Sequence, residues 1–163
     1  MTRRGRAAAA AACLLAAAAL AGCAPPLRPL GPLSQVLQQA GVNHAPSLSG
    51  RWLALISGRQ GREQVLMIHL QSRRPVPLPG LNRPDAQPVS VSVDDAGEQL
   101  ALVRQLDGRT ELALYRRSTQ SLQRLPIDPP GVPQQVALSA DGRVLAVQVS
   151  RGGLWGVDLI ELP

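Results

Sequence analysis

The sequence predicts an all-β domain of about three four-stranded antiparallel sheets, preceded by a secretory signal, a proline-rich tether and a short helix. Three observations lead to this prediction: a segment that recurs with a period of 45 to 47 residues, short apolar runs separated by turn residues, and a positive and then apolar N-terminus. The predicted boundaries are 1–22 for the signal, 23–44 for tether and helix, and 45–163 for the repeats.

The N-terminus has the charged and apolar parts of a secretory signal. Arg3, Arg4 and Arg6 form a positive cluster, and residues 7–22 carry no charge. This run is rich in alanine and short for a membrane span, which needs about 20 apolar residues. We therefore expect a signal that is removed and not a transmembrane helix.

Residues 20–23, Leu-Ala-Gly-Cys, resemble the lipobox of bacterial lipoproteins. The resemblance implies cleavage between Gly22 and Cys23, diacylglycerol on the Cys23 sulfur, and an acyl chain such as palmitate on the freed amine. Two or more acyl chains are enough for stable anchoring. We expect an exported protein bound to the membrane by lipid on Cys23, on the periplasmic side of the cell envelope. The next residue, Ala24, does not indicate whether the protein is held in the inner or in the outer membrane.

The composition excludes several kinds of protein. Cys13 leaves with the signal and Cys23 carries lipid, so neither a disulfide nor a cysteine metal site is expected. Fourteen arginines and eleven acids follow the signal, and the chain has no Phe, one Tyr and two Trp. Scattered arginines with so few aromatic residues do not form the basic stripe and stacking platforms of a nucleic-acid interface. We expect no nucleic-acid partner.

A tether and a short helix are predicted before the repeats. Residues 24–33 are rich in proline, which favours an extended, semi-rigid spacer. The segment 33–41 has a helical pattern, with Ser34 as its candidate N-cap and Gly41 at its end.

Three segments within residues 45–163 align with one another. Each has a strand, a turn glycine and a second strand with a Leu-Ala pair. The glycines are 47 and 45 residues apart, and glycine provides the positive φ that such turns need. A repeat of this length with four strands is typical of a propeller blade, so we predict blades at about 45–88, 89–134 and 135–163. The shared residues are Gly50, Gly97 and Gly142, followed by Leu53-Ala54, Leu100-Ala101 and Leu145-Ala146.

Each unit continues into a second hairpin. Asp107-Gly108 is a strong hairpin turn signal. Proline in the predicted outer strand of the first unit suits an edge strand. The third unit shows no obvious outer strand before Pro163. The predicted third strands are 64–69, 111–115 and 155–161, and the predicted outer strands are 74–78 and 122–125.

The aligned segments resemble the repeats of the TolB-like (PD40-type) β-propeller family. The matching stretches are 47–54, 92–101 and 138–146, and the resemblance covers about residues 45–163. Together with the lipobox, the chain is similar to the small TolB-like lipoproteins of cyanobacteria. Full TolB has an additional N-terminal α/β domain and a closed six-bladed ring, and we expect neither here. The family's role with the Tol-Pal envelope system is therefore not carried over.

Three blades leave open sheet faces and edges, which proteins must cover. One hypothesis is a homodimer in which two copies complete a six-bladed ring. A second is that Leu27 to Leu33 provides the missing outer strand of the third blade. A third is an open array whose end is capped by the helix from Ser34 to Ala40.

No catalytic constellation stands out in the sequence. There is no Gly-x-Ser-x-Gly motif. His44 and His69 lack the spacing of a metal-binding helix, and we expect a solvated His44 before the first blade and a half-buried or surface His69. We interpret Asp94-Asp95 as turn residues and not as a catalytic or metal-binding pair, and we interpret Asp107-Gly108 and Asp141-Gly142 in the same way. No catalytic residue, cofactor or metal site is predicted.

The sequence also predicts the exposure of five further side chains in the repeats. Arg51, Glu98 and Arg143 follow equivalent turn glycines and are expected to be exposed. Trp52 is expected to pack between blades and Trp155 to lie in the core.

The predicted function is that of a membrane-anchored lipoprotein that is not an enzyme, with its β-blades acting as a scaffold for a protein partner in the envelope. The alternative is a module that binds a small ligand or a cell-wall glycan at the mouth of an assembled ring. A propeller-type hydrolase is the least favoured function, because such enzymes need a full ring or a second catalytic domain.

Overall fold

The computed structural model describes residues 26–59 and 61–162. The predicted cleavage and lipidation positions, Gly22 and Cys23, lie outside the described residues. Residues 26–30 form neither helix nor strand. One helix and eleven strands follow in the described chain: α1 (Gly31–Ala40), β1 (Val42–Ser49), β2 (Trp52–Arg59), β3 (Arg62–His69), β4 (Arg74–Val76), β5 (Ala86–Val93), β6 (Gln99–Leu106), β7 (Arg109–Arg116), β8 (Ser121–Leu125), β9 (Val132–Leu138), β10 (Val144–Arg151) and β11 (Leu154–Glu161).

The strands form three antiparallel sheets, which we call blades 1, 2 and 3. Blade 1 has the order β1-β2-β3-β4, blade 2 the order β5-β6-β7-β8, and blade 3 the order β9-β10-β11. The predicted all-β fold of propeller-type blades is confirmed. Blade 3 has no outer strand among the described residues, as its sequence indicated.

The helix and the first strand lie at other bounds than predicted. The helix begins at Gly31 and not at residue 33, because Pro32 is tolerated in a first helical turn. It ends where Gly41 adopts a φ of 111°, and β1 follows directly at Val42. The Asn43 side chain donates to the carbonyl oxygen of Leu37 at 2.6 Å, which satisfies a carbonyl at the helix end. Strands β5 and β9 also begin before the predicted starts of blades 2 and 3.

The hypothesis that Leu27 to Leu33 forms the outer strand of blade 3 is wrong. Its first residues form no strand, and Gly31 to Leu33 belong to helix α1. The helix instead packs against β1 and β2 of blade 1, and Leu33 is buried. An outer strand needs extended backbone, and the helical hydrogen bonds of this segment exclude it.

The Leu-Ala pairs occupy the same place in all three blades. The leucines Leu53, Leu100 and Leu145 are the Cα partners of residues 48, 93 and 138 on the inner strands. Residues 94–99 and 139–144 connect the paired positions in blades 2 and 3, but only residues 49–52 do so in blade 1. The glycine spacing therefore changes from 47 to 45 residues while the inner strands keep a spacing of 45.

Strand alternation divides the buried side chains into two cores. Along β6, Leu100 and Leu102 enter the core shared with blade 1, while Ala101 and Val103 enter the core shared with blade 3. The small Ala54 and Ala101 are fully buried, as expected where neighbouring sheets pack closely. Blade 2 is thus covered by a neighbouring blade on both faces.

Serine hydroxyls connect the inner strands of successive blades. The backbone N–H of Val93 donates to Ser47 Oγ at 3.2 Å, and the N–H of Leu138 donates to Ser92 Oγ at 2.8 Å. These two bonds are equivalent in register, since Ser47 pairs with Ala54 and Ser92 with Ala101. The N–H of Val136 also donates to Ser90 Oγ at 3.2 Å. The bonds satisfy inner-strand N–H groups that no ladder partner serves.

The interpretation of Asp94-Asp95 as turn residues is confirmed. Asp94 Oδ1 accepts from the backbone N–H groups of Glu98 and Gln99 at 2.8 and 3.2 Å. In blade 3, Ser139 Oγ accepts from the corresponding N–H groups of Arg143 and Val144 at 3.2 and 2.9 Å. Both side chains stabilise the turn that contains the repeat glycine.

Trp52 packs between blades 1 and 2, as predicted. An added Cβ at Gly97 would lie 2.3 Å from Cε2 of the Trp52 indole, so the ring lies against the blade 2 turn. His69 meets the ring edge-on at 4.7 Å between centroids, and the Arg117 guanidinium lies 4.8 Å from the ring centroid. The half-buried position expected for His69 is confirmed.

We expect Gly97→Ala to lower the free energy of unfolding by about 3 kcal/mol, because left-handed strain and overpacking against Trp52 add together. Gly108→Ala is the matched control: its φ of 71° is close to the 67° of Gly97, but nothing lies within 4 Å of the added Cβ. The control should lose only about 1 kcal/mol, since strain acts alone. Urea unfolding measures both, and equal losses would show that the contact with Trp52 is unimportant.

Candidate functional site

One side of blade 3 points away from blade 2. Along β10, Leu145, Val147 and Val149 enter the core shared with blade 2, so the residues between them point the other way. Cα partners in an antiparallel pair share a face, which adds the β11 partners of these intervening residues. We call this side the open face. Its residues are Val132, Gln135 and Ala137 on β9, Val144, Ala146, Gln148 and Ser150 on β10, and Trp155, Val157, Leu159 and Glu161 on β11.

The open face carries an exposed apolar stripe along β11. Trp155 is 59%, Val157 68% and Leu159 75% exposed. The prediction that Trp155 lies in the core is wrong. Its strand pattern is that of a buried strand, but no further sheet covers this side within the part of the chain that the structure describes.

The corresponding face is buried in the other two blades. Leu159 takes the register position of Met67 in blade 1 and Leu114 in blade 2, which are 0% and 1% exposed. Val157 takes the position of Val65 and Leu112, which are also buried. Each of these four residues lies in a core completed by the following blade. The open face thus has the apolar composition of an interface.

Almost no charge lies on the open face. Glu161, at the end of β11, is its one charged residue among those described, and Gln135, Gln148 and Ser150 are neutral. The whole chain has 17 basic residues against 11 acidic ones. A neutral apolar face on a basic chain suits contact with another apolar surface better than recognition of an acidic ligand.

The outer edge of β11 adds a second open feature. In blades 1 and 2 the third strand pairs with an outer strand, β4 or β8. Within the described residues, β11 pairs only with β10, so backbone N–H and C=O groups face outward along an eight-residue strand. Such edges favour pairing with another chain unless something covers them.

A cleft of about 390 Å³ is a second candidate site. It lies between blades 1 and 2, at the β2–β3 and β6–β7 hairpins and the start of β5. Its walls are mainly polar and include Arg62, Glu63, Asp85, Gln87 and Asp107.

Two of the three carboxylates named in this cleft already have protein partners. Glu63 Oε1 lies 2.9 Å from His44 Nε2, and Glu63 Oε2 accepts from the Gln87 amide at 3.1 Å. The hydrogen bond from His44, and then that from Gln87, lower the pKa of Glu63. The Arg83 guanidinium donates to Asp85 and lowers the pKa of that carboxyl. The Glu63–Gln87 bond connects blade 1 to blade 2, and the Arg83–Asp85 pair lies within the segment between β4 and β5.

The structure corrects the expected position of His44. It lies in β1 and not in a linker before the first blade, and its side chain is 42% exposed. The imidazole is exposed, in line with the expected solvation, and it also contacts Glu63. His44 and His69 flank different parts of β2, since their Cα partners there are Ile56 and Trp52. The two histidines do not form one site.

The turn residues that were expected to be exposed differ among the blades. Arg51 and Arg143 are exposed, as predicted. Glu98 is only half-exposed, because its Oε1 accepts from the backbone N–H of Ser118 at 2.7 Å.

A buried ion pair in blade 2 was missed from the sequence. Arg104 Nη2 and Glu111 Oε1 lie 2.7 Å apart, with side chains 9% and 13% exposed. The hairpin at Asp107-Gly108 places the two residues directly opposite each other on β6 and β7. Extending the register of that predicted turn by three residues on each side would have found the pair.

The described residues contain no group of three or more His, Cys, Asp and Glu side chains placed to hold a metal ion. Among the same residues, no helix has the length and hydropathy needed to cross a membrane.

Comparison with solved structures identifies the blade arrangement. The chain superposes on TolB from Acinetobacter baumannii with a TM-score of 0.58 and 21% identity, covering 74% of this chain and 30% of that one. It superposes on putative TolB from Agrobacterium tumefaciens with a TM-score of 0.63 and 11% identity, covering 77% of this chain and 48% of that one. No protein-family model and no curated protein matches the sequence.

The chain spans less than half the length of either TolB structure. The resemblance at this level of identity concerns the fold. The chain has a TolB-like β-propeller fold, as a partial propeller of three blades.

We expect Glu63→Gln to reduce stability at neutral pH and to have little effect in acid. The folded state lowers the pKa of Glu63, so its carboxylate stabilises the fold above the unfolded pKa, and this contribution is lost as pH falls through the folded pKa. Urea unfolding of both proteins at about pH 7 and about pH 3 measures the difference. Glu161→Gln, at the exposed end of β11, controls for removing one negative charge. A stability gap as large in acid as at neutral pH would contradict the assignment.

Proposed function

We propose that this chain is an exported, lipid-anchored envelope protein whose TolB-like blades act as a protein-interaction scaffold, with the open face of blade 3 as the binding surface. The observation that carries the proposal is the exposed stripe of Trp155, Val157 and Leu159. Contiguous exposed apolar patches mark interaction sites, because leaving them in water is unfavourable. Tryptophan is also enriched among the residues that dominate binding energy.

The anchoring part of the proposal rests on the N-terminal sequence. The positive cluster, the apolar run and the tetrapeptide 20–23 occur in the order that a lipoprotein signal requires. Residues 26–30, within the proline-rich tether, form neither helix nor strand. An extended tether between Cys23 and helix α1 would let the blades reach a partner beside the membrane.

The second candidate function is binding of a small ligand or a cell-wall glycan in the cleft between blades 1 and 2. Its polar walls favour this candidate, since sugar hydroxyl groups need hydrogen-bond donors and acceptors. Neither candidate includes a catalytic role. Titration with cell-wall fragments separates the two: binding that depends on cleft residues and survives changes on the open face would favour the second.

We expect Val157→Glu to reduce recovery of a protein partner from detergent-solubilised membranes by about 30-fold, because a buried charge in the apolar stripe costs about 2 kcal/mol or more. Leu154→Glu is the matched control. Leu154 is 78% exposed on the same strand, but it is the Cα partner of Arg151 and lies on the other side of the sheet. Quantitative mass spectrometry of affinity-captured material measures the recovery. The same partner captured equally by all three proteins would remove the open face from the proposal.

We expect Cys23→Ser to abolish lipid attachment and move the protein out of the membrane fraction, because the serine hydroxyl cannot form the thioether. Cys13→Ser is the matched control and should leave both properties unchanged, since Cys13 is removed with the signal. Intact-mass analysis and membrane fractionation measure the result. Retention of Cys23→Ser in the membrane with an uncleaved N-terminus would favour a membrane-spanning signal instead.

A further inference from the structure

The repeat shows what kind of surface covers this face in the other blades. In blades 1 and 2, the residues at the register positions of Val157 and Leu159 pack against the next sheet. The open face keeps apolar side chains at both positions. A β-sheet face is therefore an occupant of the correct shape and composition.

Two residue changes distinguish the open face from the faces that receive a following blade. Ser90 and Ser92 of blade 2 accept hydrogen bonds from backbone N–H groups of β9. At the equivalent register positions, blade 3 has Gln135 and Ala137. The hydroxyl contacts to a following inner strand are thus lost. Trp155 takes the position of Glu63 in blade 1 and Thr110 in blade 2, which adds apolar area on β11. The residues suited to contact another surface therefore lie on the third strand, β11, and not on the inner strand, β9.

Closure of a six-bladed ring by two copies would need the opposite side of blade 1. That side carries Leu53, Leu55 and Ile68, which alternate with the residues of the core shared with blade 2. They are 9%, 3% and 0% exposed, and helix α1 packs against β1 and β2 of the same blade. The β2 and β3 residues on this side are already covered, so ring closure would first have to uncover them.

The open face is suited to contact with itself. A two-fold axis near Val157 would place Val157 against its own copy and Trp155 against Leu159 of the second copy. Isologous contacts of this kind close after two subunits. Because the face is nearly uncharged, two basic chains can meet there without bringing arginines together.

We infer that two copies of this chain pair face to face through the open faces of blade 3; this inference rests on the proposed function and names its partner. Stable interfaces bury roughly 1,200–2,000 Å² of surface in total. Anchoring of both copies in one membrane raises their effective concentration, which would compensate for a smaller contact area.

The first test is the mass of the full-length protein, purified from membranes in detergent and measured by light scattering with correction for detergent and lipid. Wild type and Leu154→Glu should have the mass of two chains. Val157→Glu and Leu159→Glu should have the mass of one chain, because the first brings two carboxylates together at the dimer axis and the second places a carboxylate against Trp155 of the second copy. A wild-type mass of one chain, or variants that remain dimeric, would overturn the inference in detergent.

The second test is cross-linking in native membranes with a short bis-maleimide, which does not depend on detergent. Val157→Cys should give a dimer band, while the parent protein and Leu48→Cys should give none. Leu48 is 68% exposed on blade 1 and is the Cα partner of Leu53, so it lies on the side that ring closure would use. A cross-link formed only between co-expressed Leu48→Cys and Val157→Cys chains would establish the ring and overturn face-to-face pairing.

The two tests separate this inference from the proposed function. If the chain is monomeric in detergent and Val157→Cys gives no dimer in membranes, but Val157→Glu loses a different protein in affinity capture, the open face binds that protein and the inference fails. If no copy and no other protein depends on the open face, both fail.

Discussion

Packing of one sheet against the next is the interaction on which the rest of this structure depends. Blade 2 places Leu100 and Leu102 in one core and Ala101 and Val103 in the other, so it is covered on both faces. Each fully buried leucine or valine contributes about 1.5–3 kcal/mol relative to exposure. The sheets at the two ends cannot obtain this stabilisation on both faces from blade 2. Helix α1 packs against blade 1, and the described chain has nothing equivalent for blade 3.

Polar contacts between blades set their register more than they add stability. A single hydrogen bond contributes only about 1 kcal/mol, but a buried N–H without an acceptor costs more than that. Ser47 and Ser92 accept N–H groups at equivalent positions of successive inner strands, and Glu63 contacts Gln87 across the same interface. A slipped blade would leave these groups unpaired. Blade 3 has Ala137 at the register position of Ser92, and its side chain offers no such acceptor.

These features place the candidate functions on different parts of the molecule. In the polar cleft between blades 1 and 2, the carboxylates of Glu63 and Asp85 are already paired with His44 and Arg83. The open face of blade 3 combines an apolar stripe with an unpaired strand edge and is not engaged within the described chain. An anchor at Cys23 would restrict the search for a partner to the membrane surface. The open face would then determine which partner stays bound.

The sequence by itself determined the number of blades, their strands and their turns, because these depend on local chemistry. Each signal involves residues that are close together in the sequence. The signals are the repeat glycines, the Asp107-Gly108 turn and the alternation of apolar residues. Only the tertiary structure decided which faces are covered. Leu114 and Leu159 lie in equivalent strands, yet Leu114 is buried and Leu159 is exposed. The two tryptophans differ in the same way, since Trp52 meets the turn of blade 2 and Trp155 meets no further sheet among the residues that the structure describes. Burial depends on the neighbouring sheet, and a strand's own residues do not specify whether that neighbour is present.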